Sequence, residues 1–272
     1  MKLDSEKLAL SIRKDAIKMV HIAHASHIAS ALSIADILAV LYADVLKYDT
    51  KNPKWEARDR LVLSKGHAGS VLYAVLAEVG FYDKKLLDTY DLNGSNFSGH
   101  ISHKGVPGVE FSTGSLGHGV CVATGLALAA KLDKKEHRVF AIVGDGECNE
   151  GTIWETVMFA KQQKLNNFTI IVDANKMQAM GNTKDVCDIS PIGEKFKAFG
   201  WNVIEVDGHN HKEILEAVNK KFDNELPKAI IANTIKGKGV SFMENNITWH
   251  YRDPQGEPYE LAIQELEEKE NA

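Results

Sequence analysis

Two short apolar runs, Val139–Val143 and Phe168–Val172, bracket a helix-like stretch and constrain the fold of this chain more than any other feature. The first ends in Gly144-Asp145-Gly146 and the second in Asp173-Ala174-Asn175, which sets Asp145 and Asn175 30 positions apart (175 − 145). That spacing suits one strand–helix–strand unit. A right-handed crossover makes the two strands parallel and brings their carboxyl ends together. One carboxylate and one amide oxygen then face the same crevice, and such hard oxygen ligands suit Mg²⁺ with positions left over for a diphosphate. A plainer reading also fits: Gly-Asp-Gly as a strand-to-helix turn, with Asp and Asn capping the helices that follow. The two tips alone leave both readings open.

Leu61–Leu63, Asn202–Val206 and Ala229–Asn233 add further short, largely apolar runs between helical patterns. Strands that read as continuous apolar runs are covered on both faces, so the expected fold is α/β, a parallel sheet flanked by helices on both faces. Leu8, Ile12, Ala16, Met19 and Ala23 fall on one face of a first helix with Asp4 as N-cap, and Ile34, Ile37, Leu38, Leu41 and Val45 mark a second. A helix after Ser64-Lys65-Gly66-His67 stops near Gly80, and the Ala-rich Val120–Leu132 reads as a buried helix. Gly200 closes a helix over Pro191–Phe199, and Asp207-Gly208 turns into one over about His211–Phe222. Glu257–Ala272 reads as a terminal acidic helix with a solvated face. Residues 1–272 are expected to form a single domain with a helical N-terminal segment and this acidic C-terminal helix.

The charge balance excludes some functions. A net charge of −5 argues against electrostatic nucleic-acid binding. Cys121, Cys148 and Cys187 lack metal-type spacing and fit a reducing compartment, with Cys148 read as a buried spectator thiol. The charged, amphipathic start is no secretory signal, and no apolar stretch reaches membrane-spanning length, so the expected location is cytoplasmic.

Other constellations surround the two strand tips. Gly114-Ser115-Leu116-Gly117-His118-Gly119 precedes a helix, whose free amide groups and dipole favour an anion. Glu150-Gly151 opens the helix after Asp145, where an acid also simply complements the helix dipole. His27, His67, His100 and His250 stand in loops or at helix starts. Any one is more often structural than catalytic, whereas imidazoles gathered in one pocket exchange protons with sugar hydroxyls near neutral pH.

Together these residues resemble the N-terminal, diphosphate-binding part of transketolase over about residues 5–255, most closely that of bacterial enzymes encoded as two subunits. The resemblance is carried, in family order, by Ser26-His27, Leu63-Ser64-Lys65-Gly66-His67, Gly99-His100, the Ser112–Gly119 loop, Gly144-Asp145-Gly146 with Asn175-Lys176-Met177, and Lys236–Asn245. It implies thiamine diphosphate and Mg²⁺ as cofactors, with the metal on Asp145, Asn175 and the Met177 carbonyl. It also implies cofactor contacts from His67, Gly114, Ser115, Leu116, Gly144, Gly146, Glu147 and His250. His27, His67, His100 and His250 would handle sugar hydroxyls and protons, and Glu150 would join a carboxylate network between paired active sites. The implied reaction moves a two-carbon ketol unit from a ketose (phosphate) to an aldose.

Several positions depart from the family pattern: Ala25-Ser26 and Ala29-Ser30 around His27, Ser115 and His118 in the glycine-rich loop, and Tyr251-Arg252-Asp253 after His250. Arg252 reads as a surface residue. The family's pyrimidine-binding domain, which supplies the glutamate for the cofactor's aminopyrimidine ring, is not expected within these 272 residues. A separate C-terminal subunit is therefore expected, in an α₂β₂ assembly, with the chain alone inactive. The rival readings are an α-type subunit of a 2-oxo acid dehydrogenase-like enzyme, which has no need of four histidines, and a non-catalytic cofactor-domain partner protein.

Overall fold

The computed structural model describes residues 3–271. Strands β1 (Arg60–Leu63), β2 (Val139–Gly144), β3 (Phe168–Ala174), β4 (Asn202–Asp207) and β5 (Lys228–Asn233) form one parallel sheet in the order β1-β2-β3-β5-β4. The helices are α1 (Ser5–Ala23), α2 (Ile28–Leu32), α3 (Ala35–Val40), α4 (Gly69–Glu78) and α5 (His118–Leu132), then α6 (Gly151–Gln162), α7 (Thr183–Val186), α8 (Ile192–Ala198), α9 (His211–Asn219) and α10 (Glu257–Glu270). The α/β expectation holds.

Alternating side chains of the central strands feed two cores. Phe140, Ile142, Ile171 and Ile230 pack with α1, α3, α4 and α9, while Val139, Ala141, Val143, Ile170 and Val172 pack with α5, α6 and α8. This period-two division holds the sheet between its helix layers. Each fully buried Val, Ile or Phe contributes about 1.5–3 kcal/mol to that clamp. Register then sets the geometry of the strand tips. Gly144 pairs with Asp173, so Asp145 and Asn175 leave neighbouring strands side by side.

Asp4 caps α1 as expected, accepting from the Glu6 and Lys7 amides at 3.0 and 3.3 Å. Four expectations need correction. The second helix, marked by Ile34 to Val45, is not uniform: α3 starts after its N-cap Ile34 and runs straight into a π-helical turn at Leu41–Val45. Helix α5 is not buried all round: Cys121, Gly125, Ala129 and Leu132 are exposed, since only one side meets the sheet. An apolar composition does not separate a core face from a bare one. Strand β4 is half exposed because it lies at the sheet edge, and α9 ends at Asn219, three residues before Phe222.

Among the described residues no helix is long and apolar enough to cross a membrane. All three cysteines are free; Cys148 is buried, and burial pushes its thiol well above the ordinary range.

Candidate active site

The carboxyl ends of β1, β2, β3 and β5 surround a cavity of about 300 Å³. Its walls include His27, His67, His100 and His250, the turn Gly144-Asp145-Gly146-Glu147, Gly114 and Leu116 from the glycine-rich loop, and Asn175 and Met177. Of the residues expected to act at the site, only Ser115 and Glu150 stay outside it. Ser115 is exposed beside His118, its hydroxyl 3.2 Å from Nδ1, and Glu150 is the exposed N-cap residue of α6.

The four imidazoles form one cluster. The His27 ring centre lies 5.3 Å from His67, 5.5 Å from His100 and 5.1 Å from His250, and His67 lies 5.9 Å from His250. His27 has φ +74°, a left-handed backbone that is costly for a side-chain-bearing residue. It is held there by its own amide, which donates to the His250 carbonyl at 2.7 Å, and by its carbonyl, which accepts from Ser30 and Ala31. Burial above all, then His100, Lys236 and Lys65, lowers His27 to about 4; burial, then Lys236, lowers His250 to about 3. Burial and Lys65 hold His67 well below its ordinary value too. These three rings are therefore neutral at neutral pH and can give or take a proton. His250 Nδ1 is buried without a partner, an orphan that a bound ligand would satisfy.

The oxygen-rich side of the cavity rests on Asp173, the last-but-one residue of β3. Its fully buried carboxylate accepts from the Lys65 ammonium, the Thr234 hydroxyl, the Ser33 hydroxyl at 2.7 Å and Asn175 Nδ2 at 2.9 Å. Burial alone would raise this carboxyl, but Lys65 and the hydroxyls outweigh it and hold it below the ordinary range. Because Nδ2 is engaged, the Asn175 amide is fixed with Oδ1 on its other side, where it accepts the Met177 amide at 3.0 Å.

Asp145 differs. Its oxygens accept only the Gly146 and Lys176 amides, at 2.7 and 2.5 Å, and burial together with Asp173 raises it to about 6. A buried carboxylate facing a cavity without a cationic partner is a place for a cation. No group of three or more His, Cys, Asp or Glu among the described residues could hold a metal. A Mg²⁺ ion would need a mixed set instead, carboxylate plus amide plus main-chain oxygen, and Asp145, Asn175 and the Met177 carbonyl fit that chemistry.

Several supporting residues carry roles that their sequence context does not reveal. Glu147 lies in the cavity wall, but its buried carboxylate ties three loops together, accepting from Ser64 Oγ at 2.5 Å, the Gly117 amide at 2.8 Å and the Gly144 amide at 3.0 Å. Gly66 meets the Thr113 carbonyl so closely that a Cβ would lie 2.4 Å from its oxygen, so only glycine lets the two loops touch. Lys236 stands out in the sequence only as the first residue of the Lys236–Asn245 motif. Its ammonium lines the cavity, is lowered to about 8 by burial and then by Lys65, and has only long contacts to the Met177 and Gln178 carbonyls, 3.4 and 3.3 Å. For Asp173 the available signal was a charged residue inside an otherwise apolar strand, which implies a buried partner.

A parallel sheet whose carboxyl ends gather a glycine-rich loop, a buried carboxylate without a paired cation and neutral imidazoles has the make-up of a cofactor-binding α/β protein. More narrowly, residues 5–258 match the family described as transketolase, thiamine diphosphate binding domain, and the chain belongs to that family. It is 41% identical over 268 residues to the 6-deoxy-6-sulfo-D-fructose transketolase subunit SqwG of Clostridium sp. (strain MSTE9), covering 98% of each chain. It is 39% identical over 270 residues to an apulose-4-phosphate transketolase subunit from Phocaeicola vulgatus, covering 99% of this chain and 94% of the relative. The crystal structure of transketolase from Campylobacter jejuni superposes with a TM-score of 0.90 at 31% identity over 100% of this chain. The chain spans only 43% of that longer enzyme.

Proposed function

We propose that this chain is the cofactor-binding N-terminal subunit of a two-subunit transketolase, cytoplasmic and assembled as α₂β₂ with a separate subunit that carries the pyrimidine-binding domain. In this reading residues 1–272 act as one thiamine diphosphate domain. Mg²⁺ sits on Asp145, Asn175 and the Met177 carbonyl, and the Lys236 ammonium faces the diphosphate. The observation that carries the reading is the gathering of His27, His67, His100 and His250 around the cavity that also holds Asp145 and Asn175. A 2-oxo acid enzyme would have no use for that cluster.

Bound thiamine diphosphate supplies a carbanion and electron sink for making and breaking the carbon–carbon bond. The chain's own residues position and polarise. Neutral His27 and His250 accept hydrogen bonds from the donor's hydroxyls and take up a proton as the bond breaks. His67, its ring 5.3 Å from His27 and 5.9 Å from His250, touches the diphosphate or the bound sugar. Glu147 holds the glycine-rich loop and the Asp145 turn at constant separation, which keeps Gly114, Leu116 and Gly146 along the cofactor. Ser115 and Glu150, which face solvent in this chain, would act only at a subunit boundary.

The test is a ketol-transfer assay with the purified chain, then with the product of the neighbouring gene added. Activity should appear only with both and should require Mg²⁺ and thiamine diphosphate. Full activity from the chain alone would overturn the two-subunit reading. Turnover of a 2-oxo acid in place of a ketose would overturn the reaction.

A further inference from the structure

A buried charge cluster outside the cavity lies under the segment that carries Lys236. Asp36, in α3, accepts two bonds from the Arg13 guanidinium, at 2.9 and 2.6 Å. It also meets His209 Nδ1 at 2.7 Å and His211 Nε2 at 3.1 Å. Burial would raise this carboxyl, but Arg13 and the two histidines hold it well below the ordinary range. Replacing such a cluster by well-packed apolar side chains is often neutral or stabilising, so stability alone gives little reason for it.

The second nitrogen of His209 supplies a reason. Nε2 lies 2.8 Å from the Ile235 amide nitrogen. A main-chain N–H only donates, so Nε2 carries a lone pair and the ring hydrogen sits on Nδ1, aimed at Asp36. The carboxylate thus selects the tautomer that accepts from the main chain one residue before Lys236. The neighbouring bonds pin the same segment: Thr234 Oγ1 donates to Asp173, the Gly237 amide to the Ala29 carbonyl at 3.0 Å, and Arg13 Nε to the Lys238 carbonyl at 3.0 Å. The Lys236 ammonium itself has only long contacts, so the path of its main chain decides where the charge stands.

We propose that His209, oriented by Asp36, is a positioning residue for cofactor binding: through the Ile235 amide it sets the placement of the Lys236 ammonium against the diphosphate. The proposal rests on the functional reading above. It assigns His209 no contact with substrate or cofactor.

The experiment uses the complete two-subunit complex and calorimetric titration with thiamine diphosphate in Mg²⁺. His209→Asn keeps a donor for Asp36 and loses the acceptor for Ile235; His209→Gln places an oxygen near the lost Nε2. The Asn variant should bind about 10–100-fold more weakly, and the Gln variant should recover most of the loss. In a Lys236→Met background, His209→Asn should cause little further loss, because both act through one charge. Wild-type affinity in the Asn variant, or an undiminished loss in the Lys236→Met background, overturns the positioning role. A wild-type complex with no affinity for thiamine diphosphate overturns both this proposal and the functional reading, which separates the two failures. Thermal melts of each variant identify any that fails to fold, and the Asn–Gln comparison is then repeated as His209→Ser against His209→Gln.

Discussion

Strand β5 starts at one lysine and is followed, three residues past its end, by another, and burial lowers both ammonium groups to about 8, yet the two do opposite jobs. Lys228, at the amino end, is crowded by Arg138 and Lys220 and donates to the Ala217 and Val218 carbonyls at 3.0 and 2.7 Å, closing the last turn of α9. Lys236, beyond the carboxyl end, has contacts no shorter than 3.3 Å and faces a cavity. Equal perturbation therefore does not mean equal role. What separates a cap from a binding group is whether its hydrogen bonds are already made.

The strongest challenge to this contrast is Asp145→Asn. The complex should lose about a thousandfold in activity as the metal ligand goes. The free chain should change the other way. A folded-state carboxyl raised from 3.8 to about 6 favours the protonated form, so stability is lost as pH climbs through that interval. The Asn variant, free of this loss, should be more stable at pH 7 by up to about 3 kcal/mol in urea melts. A less stable variant would contradict the account of Asp145 as a carboxylate lacking its cation.

Asp173→Asn probes the saturated counterpart. Removing it strands the buried Lys65 ammonium, so unfolding free energy should drop by about 3–5 kcal/mol. An unchanged urea midpoint would mean that Lys65 finds another partner.

The direct comparison is Lys236→Met against Lys228→Met. The first should weaken thiamine diphosphate binding about 10–100-fold with little change in melting. The second should lower stability by about 1–2 kcal/mol and leave cofactor affinity alone. If the effects were exchanged, the distinction between the two ends of the strand would fail.

The remaining comparison is a pH slope. His27 and His250 are lowered to about 4 and about 3, so the folded state resists the proton that the unfolded chain accepts near 6.5. Stability should be flat above that value and decline as pH falls toward 4. His27→Asn should flatten part of the decline in calorimetric melts.

The sheet was legible because β2, β3 and β5 are buried on both faces and read as largely apolar runs up to their carboxyl tips. The four histidines and Asp145 were legible as residue types in loops, but their meeting was not. His27 and His250 are distant in sequence, and only the tertiary fold puts 5.1 Å between their rings. The double use of Asn175, Nδ2 for Asp173 and Oδ1 for the Met177 amide, was also hidden, because orientation of an amide leaves no trace in composition. Helix α5 misled for a related reason: Ala-rich apolar segments look alike whether a neighbour covers them or not.

The bond from the His27 amide to the His250 carbonyl makes a hem between the early and late parts of the chain. A protease nick between Asn245 and Gln255 would therefore release two imidazoles, since the left-handed turn at His27 loses its fastening along with the strip that bears His250. Resistance of that strip to digestion offers a simple gauge of whether the pocket is closed.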